Sequence, residues 1–337
     1  MQLLGLGIEM TALFIGFGLL IGILFGFFGM GGSFLVTPAL LVVGYPASVA
    51  VGSGLAFVFG TSVIGALRHR DHGQVSYPLA AVMILGMTVG IEVGTRVVFL
   101  LVEAGSADFV ISVVYVGLLV AVGLFVLRDA RSDGTDVGTG RVATVVQAIT
   151  LPPMVSLPGD ATVSMWVILV VGWGIGILSG CLGIGGGFLL LPVMVYGFGI
   201  PTAIAAGTSI LQILVSGAFG TFVYAQSNAV NISVVATLLV GSALGARIGA
   251  SATLLVDEAD VKGYFAVMLL AGGIVTASKQ VGVAFGVAML ETMSTVLIFG
   301  TAVLVSGVII YMSIAALRKH REHRSSLTHK LPVWLRQ

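Results

Sequence analysis

The sequence is poor in charge and nearly without cysteine. Charged residues fill 9% of its 337 positions and hydrophobic residues 58%, whereas soluble domains carry about 25% charge. With a mean hydropathy of +1.14 the chain has more apolar surface than a water-facing fold can hide, so its solvent is lipid. A single cysteine, Cys181, excludes an internal disulfide and a cysteine-rich metal site. Among apolar neighbours it reads as a small packing residue. The net charge of +1 gives no electrostatic bias toward nucleic acid. HExxH, CxxC and GKS/T are all missing, and the aspartates lie outside the apolar runs. No catalytic set, metal site or cofactor site is therefore expected, and the chain does not read as an enzyme. The five histidines, His69, His72, His320, His323 and His329, also fall outside those runs and read as solvated loop and tail residues. The first residues, MQLLGLGIEM, lack a basic stretch and read as the start of a membrane segment rather than a cleaved signal.

Long apolar runs are abundant. A helix needs roughly 20 apolar residues to cross the hydrocarbon layer. Candidates lie at about 8–28, 48–67, 78–101, 109–127, 162–183, 203–225, 231–254, 262–280 and 295–316. Two shorter pieces, about 33–44 and 187–199, are each open to reading as a half-helix, a re-entrant segment or an untilted crossing.

A glycine-rich element precedes each short piece. Gly22 to Pro38 reads GILFGFFGMGGSFLVTP and Gly176 to Pro192 reads GILSGCLGIGGGFLLLP, with 10 of 17 positions identical, five of them glycine. After a one-residue insertion Pro46 meets Pro201, Gly52 meets Gly207 and Gly65 meets Gly220. Further on, Gly86, Gly90 and Gly94 meet Gly241, Gly245 and Gly249. The chain is a duplication covering roughly 8–127 and 162–280. With a cytoplasmic C-terminus and both short pieces crossing, 12 of the 15 lysines and arginines fall inside, as the positive-inside rule requires. Each half then crosses five times, so the halves are inverted and the N-terminus is external. The expected fold is all-α: a polytopic transmembrane helical bundle with two inverted repeats and discontinuous helices. Its parts are a first repeat (1–127), a cytoplasmic linker (128–161), a second repeat (162–280), an extra terminal span (281–316) and a basic cytoplasmic tail (317–337). The linker turns apolar near Val142 to Ile149, which suits the membrane surface. A docked plug is the alternative, supported only by the linker's length.

Consecutive glycines at membrane depth interrupt a helix, adopt positive φ readily and let a ligand approach the backbone. Gly29, Gly31, Gly32 and Ser33 form one candidate site cluster; Gly183, Gly185, Gly186 and Gly187 form the other. Half-helices starting near Phe34 and Phe188 would turn N–H groups and a positive dipole end toward an anion. Inverted transporters build midplane sites from such pairs; close helix packing is the bland alternative. Ser53, Thr208, Ser209 and Gln212 could add neutral donors, although short hydroxyls often bond their own helix. Glu92 and Arg247 occupy equivalent repeat positions within spans, where charge is functional by default. Arg247 could attract an anion and Glu92 carry a coupling proton; alternatively Glu92 forms a structural salt bridge with Arg96 one turn away or with Arg247.

The doubled GxGG(S/G)F element with its proline, the AAGTS of Ala205 to Ser209 and the GARIG of Gly245 to Gly249 resemble the sulfite exporter TauE/SafE family of membrane permeases. GIGGGFLLLP is the closer match; in GMGGSFLVTP Ser33 replaces the third glycine. The resemblance spans nearly the whole chain apart from 128–161 and the tail. It implies a cytoplasmic-membrane protein that moves small sulfur oxyanions or organosulfur compounds such as sulfite or sulfoacetate. The expected function is secondary transport, in the export direction, of a small anion by alternating access. An anion channel, or a permease for another small carboxylate or sulfur compound, is the alternative. Its partners would be the anionic substrate and the lipid bilayer, and the sequence is compatible with a homo-oligomer.

Overall fold

Backbone groups in hydrocarbon must find partners within their own segment, and the apolar runs accordingly form helices. The computed structural model describes residues 2–3, 6–28, 32–69, 75–131, 139–158, 162–253, 258–285, 296–297, 300–308 and 310–311. The helices are α1 (Ile8–Phe28), α2 (Val36–Val43), α3 (Ala47–His69), α4 (Tyr77–Glu103), α5 (Ala107–Arg131) and α6 (Thr139–Gln147), then α7 (Met165–Leu182), α8 (Gly187–Pro192), α9 (Thr202–Gln226), α10 (Ile232–Thr253) and α11 (Glu258–Phe285). A 3-10 turn, Gly32–Leu35, leads into α2, and a π-helical turn, Val193–Gly197, follows α8. Among the described residues, seven helices (α1, α4, α5, α7, α9, α10 and α11) are long and apolar enough to cross a membrane; most of the expected terminal span and the tail lie outside them. This is a multi-pass membrane protein.

Two glycine stripes set the tightest packing. Along α4, a Cβ added at Gly86, Gly90 or Gly94 would lie 2.3, 2.2 or 2.4 Å from the carbonyl oxygen of Leu169, Trp173 or Ile177 of α7. Along α10, one added at Gly241, Gly245 or Gly249 would lie 2.0 Å from the carbonyl oxygen of Ile15, Leu19 or Ile23 of α1. Small residues four apart let backbones touch, which is how helices associate where lipid removes the hydrophobic drive. The stripes climb in step, so α4 runs parallel to α7 and α10 parallel to α1. The first helix of each half thus packs against the fourth helix of the other.

Equivalent helices also face each other. On α3 and α9, Gly52 lies against Tyr224, Leu55 against Gly220 and Phe59 against Gly217, an antiparallel order. On α5 and α11, Gln280 donates to the Asp108 carbonyl, and Gly272 and Leu270 lie against Leu119 and Gly123, again antiparallel. Ser53 and Gly60 of α3 meet Asn231 and Leu239 at the start and middle of α10, so α3 runs parallel to α10 and therefore to α1. The stretch holding α2 must then bring the chain back to the end where α1 began.

The structure adjusts several expected boundaries. The first repeat's last helix extends past 127 to Arg131, and α11 extends past 280 to Phe285. Residues 162–164 are strand rather than helix. There β4 (Thr162–Ser164) pairs antiparallel with β3 (Met154–Ser156), with Val155 opposite Val163. At the N-terminus β1 (Gln2–Leu3) pairs with β2 (Leu6–Gly7). The linker is docked on the bundle: Gln147 of α6 donates to the Phe198 carbonyl at 3.4 Å, and Leu157 and Val163 are buried in the core at that end. Its outer face keeps Val145, Ile149, Leu151 and Met154 exposed, as suits a segment at the membrane surface.

Candidate functional site

The second glycine element breaks its helix as expected. Gly183, Gly185 and Gly186 take φ of +74°, +61° and +78°, left-handed conformations that a side chain strains. Gly183 ends α7 with its N–H on the Ser179 carbonyl, and Gly186 begins α8 by accepting from the N–H groups of Leu189 and Leu190. Pro192 has no N–H to give to the preceding turn, and the π-helical turn starts immediately after it. Such turns are frequent at functional sites. In the first element Gly32 and Ser33 lie in the 3-10 turn, while Gly29 and Gly31 lie outside the described residues. Pro38 falls in the first turn of α2, where its missing N–H costs nothing.

The two breaks meet in the core. The ring of Phe34, which follows the first, packs edge-on against Phe188, which follows the second, at 5.7 Å between centroids. Phe265 of α11 packs on Phe34 from another side at 5.8 Å. The Tyr115 hydroxyl of α5 donates to the Phe34 carbonyl at 2.6 Å, occupying an acceptor at the 3-10 turn. Around the second break a Cβ at Gly185 would strike Val58, and one at Gly186 would strike Ile175 and Met87. All three side chains are buried, so the break is packed shut.

Polar groups reach this region from α9. Gln212 is 0% exposed, and neither its amide nitrogen nor its amide oxygen has a hydrogen-bond partner. One turn further along the same face, the Ser216 hydroxyl approaches the Gly185 carbonyl at 3.5 Å and the Ile213 carbonyl at 3.3 Å. An unpaired buried amide costs about 1–3 kcal/mol, which a ligand placed here could recover. Thr37 of α2, absent from the sequence expectations, is a buried hydroxyl without a partner. It is wedged where a Cβ at Gly54 or Gly183 would come within 2.5 or 2.6 Å of its oxygen. Thr37 has no polar counterpart in the second repeat, where Leu191 takes the equivalent position, so the doubled pattern gave no signal for it.

The remaining expected residues do other work. The Ser53 hydroxyl accepts the Asn231 N–H at 3.0 Å, and the Thr208 hydroxyl accepts the Ser76 N–H at 3.0 Å. Ser53 and Thr208 are repeat equivalents, as are Ser76 and Asn231, so these are one brace made twice, each joining the two halves. The Ser209 hydroxyl donates to the Ala206 carbonyl of its own helix at 2.8 Å. Glu92 pairs with Arg96 at 2.8 Å on the outer face of α4, where the Arg96 side chain is 75% exposed. Arg247 is exposed on α10. The structure therefore does not bring Glu92 or Arg247 to the breaks. Both sit on the helix face opposite their own glycine stripes, which hold the packed side.

A family profile described as "Sulfite exporter TauE/SafE" matches residues 14–276, a stretch that contains both glycine elements and most or all of each paired helix described above. The chain belongs to the TauE/SafE family. Similar proteins include a "Probable membrane transporter protein" of Xylella fastidiosa (strain 9a5c), 30% identical over 245 residues, covering 72% of this chain and 84% of the relative. Another is "Probable membrane transporter protein YunE" of Bacillus subtilis (strain 168), 26% identical over 242 residues, covering 69% of this chain and 85% of the relative. No solved structure matches the chain. As a TauE/SafE family member with transporter relatives, this protein is a membrane transporter.

Proposed function

We propose that this TauE/SafE member is a secondary permease that exports a small oxyanion, sulfite or a sulfonate, across the cytoplasmic membrane by alternating access. The observation that carries the reading is Gln212: a fully buried amide beside a broken helix, with both ends unpaired. Its two N–H groups offer an oxyanion donors without burying a counter-charge, which would cost more in this medium. The Ser216 hydroxyl and the backbone of Gly185–Gly187 would complete the site, and the 3-10 turn Gly32–Leu35 that follows the first glycine element meets it through the Phe34–Phe188 contact.

Two inverted halves support alternating access. Exchanging the repeats leaves the helix pairings unchanged, and equivalent helices α3 and α9, and α5 and α11, run antiparallel. That is the relation expected of a twofold axis in the membrane plane. The tight packing around the second break fits a closed form of such a transporter better than an open pore. An inside-negative potential favours outward movement of an anion by roughly 2.3 kcal/mol per charge per 100 mV, so export proceeds without a nucleotide. The N-terminus lies outside and the linker and C-terminus inside, in keeping with the basic residues.

The test is flux into proteoliposomes across sulfite, sulfoacetate, thiosulfate and small carboxylates. Saturable flux of a sulfur oxyanion that falls at least about tenfold in Gln212→Met supports the reading. Flux equal in both proteins removes Gln212 from the site.

A further inference from the structure

The two ends of the bundle are finished differently although the halves are duplicates. Gly44 (φ +101°) and its repeat equivalent Gly199 (φ +75°) each close a short returning helix. Beside Gly44 a cavity of about 490 Å³ stays open between the α2–α3 turn, the start of α5 and the end of α11, lined by Tyr45, Asp108, Ser112 and Lys279. A Cβ at Gly44 would meet nothing within 4 Å. At Gly199 the same space is taken by the linker: a Cβ there would lie 3.4 Å from Gln147 Nε2 and 3.8 Å from the Ala143 Cβ of α6. The β3–β4 hairpin continues the cover. Leu157 and Val163 are buried in the same apolar cluster as Val58, Met87, Ile175 and Leu190, the side chains packed against the second glycine break. The Trp166 indole N–H on the Pro152 carbonyl ties the hairpin to α7.

We propose that α6 and the β3–β4 hairpin form a gate, which closes the linker-side route to the second break and must lift for substrate to pass. This rests on the reading of the breaks as the transport path, and it assigns the linker a role that neither the glycine motifs nor the repeats require. Gln147 makes a single long hydrogen bond to the body, and the Ser164 hydroxyl at the hairpin's end is buried without a partner. An unsatisfied buried polar group lowers the cost of opening the segment that carries it. The open cavity at Gly44 is what the linker end would resemble with the cover lifted.

The test uses the full chain with Cys181→Ser and Val58→Cys, in inside-out vesicles. A small membrane-impermeant thiol reagent is offered from the linker side, and modification of the Val58→Cys peptide is followed by mass spectrometry. Ala143→Cys with Gly199→Cys allows a disulfide to be closed, since their 3.8 Å Cβ separation suits one. Closing that bridge should slow modification at least about tenfold relative to the reduced protein, and Leu157→Ala should speed it by a similar factor, because labelling follows the open population. Identical rates in the bridged, reduced and Leu157→Ala proteins would overturn the gate. This readout needs no substrate, so it stands apart from the flux experiment. If sulfite flux is absent while labelling behaves as stated, the gate holds and the choice of anion fails.

Discussion

Gln212 shows how a polar residue in an apolar helix can announce itself. The sequence already requires a partner for an amide placed there, and the structure leaves both of its ends unpaired, one turn along α9 from the Ser216 hydroxyl that approaches the Gly185 carbonyl. Ser53 and Thr208 looked similar by composition yet serve as braces, each receiving one N–H from the other half. Their partners stand 178 and 132 residues away, beyond anything periodicity can show. Ser53→Ala and Thr208→Val should each lower stability by about 1 kcal/mol, the net worth of a buried hydrogen bond. Thermal unfolding in detergent would show two similar and roughly additive shifts, since the braces share no partner. Glu92 presents the opposite case. Its ion pair with Arg96 is exposed, and pairs of that kind contribute about 0–1 kcal/mol. Glu92→Gln should therefore leave both the melting temperature and anion flux close to those of the parent protein. A large loss of flux with normal folding would return Glu92 to the transport path.

Helix identity was legible in the chain; helix partners were not. The run expected from residue 8 is α1, which begins at Ile8 and is helical throughout its described length to Phe28. Both short pieces were also visible, but their direction emerges only from α1 and α3 running parallel against α10. The glycines at 86, 90, 94 and 241, 245, 249 were visible as repeats, whereas their role in seating α4 on α7 and α10 on α1 depends on a partner backbone. Adding even a Cβ at Gly245 places it 2.0 Å from the Leu19 carbonyl oxygen. Gly245→Val should thus force the helices apart and cost several kcal/mol, in the range of severe overpacking. Membrane-inserted yield and monodispersity on size exclusion should both collapse. At Gly174, where an added Cβ would meet nothing within 4 Å, Gly174→Ala should be tolerated and serves as the control. The linker was the least legible element, since the apolar face that docks Leu157 and Val163 is recognisable only beside the core it covers.

Taken together, the pairings describe one architecture, in which each half lends its first and fourth helices to the other and the two interrupted helices meet between them. The proposed inversion of the halves has a direct consequence for loop placement. The α4–α5 turn, with Ala104, and the α9–α10 turn, with Ser227, should share one side of the membrane, and Thr150 of the linker should lie on the other. Single cysteines at these exposed positions, labelled in intact cells, should react in that pattern; Ala104 and Ser227 labelling from opposite sides would mean that the halves point the same way. The central claim is that the buried amide beside the second break binds the transported oxyanion. Its most direct measurement is the equilibrium affinity of the purified protein for sulfite, by calorimetry, in the parent protein and in Gln212→Met. Replacing an unpaired buried amide by an apolar group of similar size should leave the melting temperature unchanged or raised, and the affinity should fall at least about tenfold, or 1.4 kcal/mol. Equal sulfite affinity in the two proteins, with both well folded, would contradict the account.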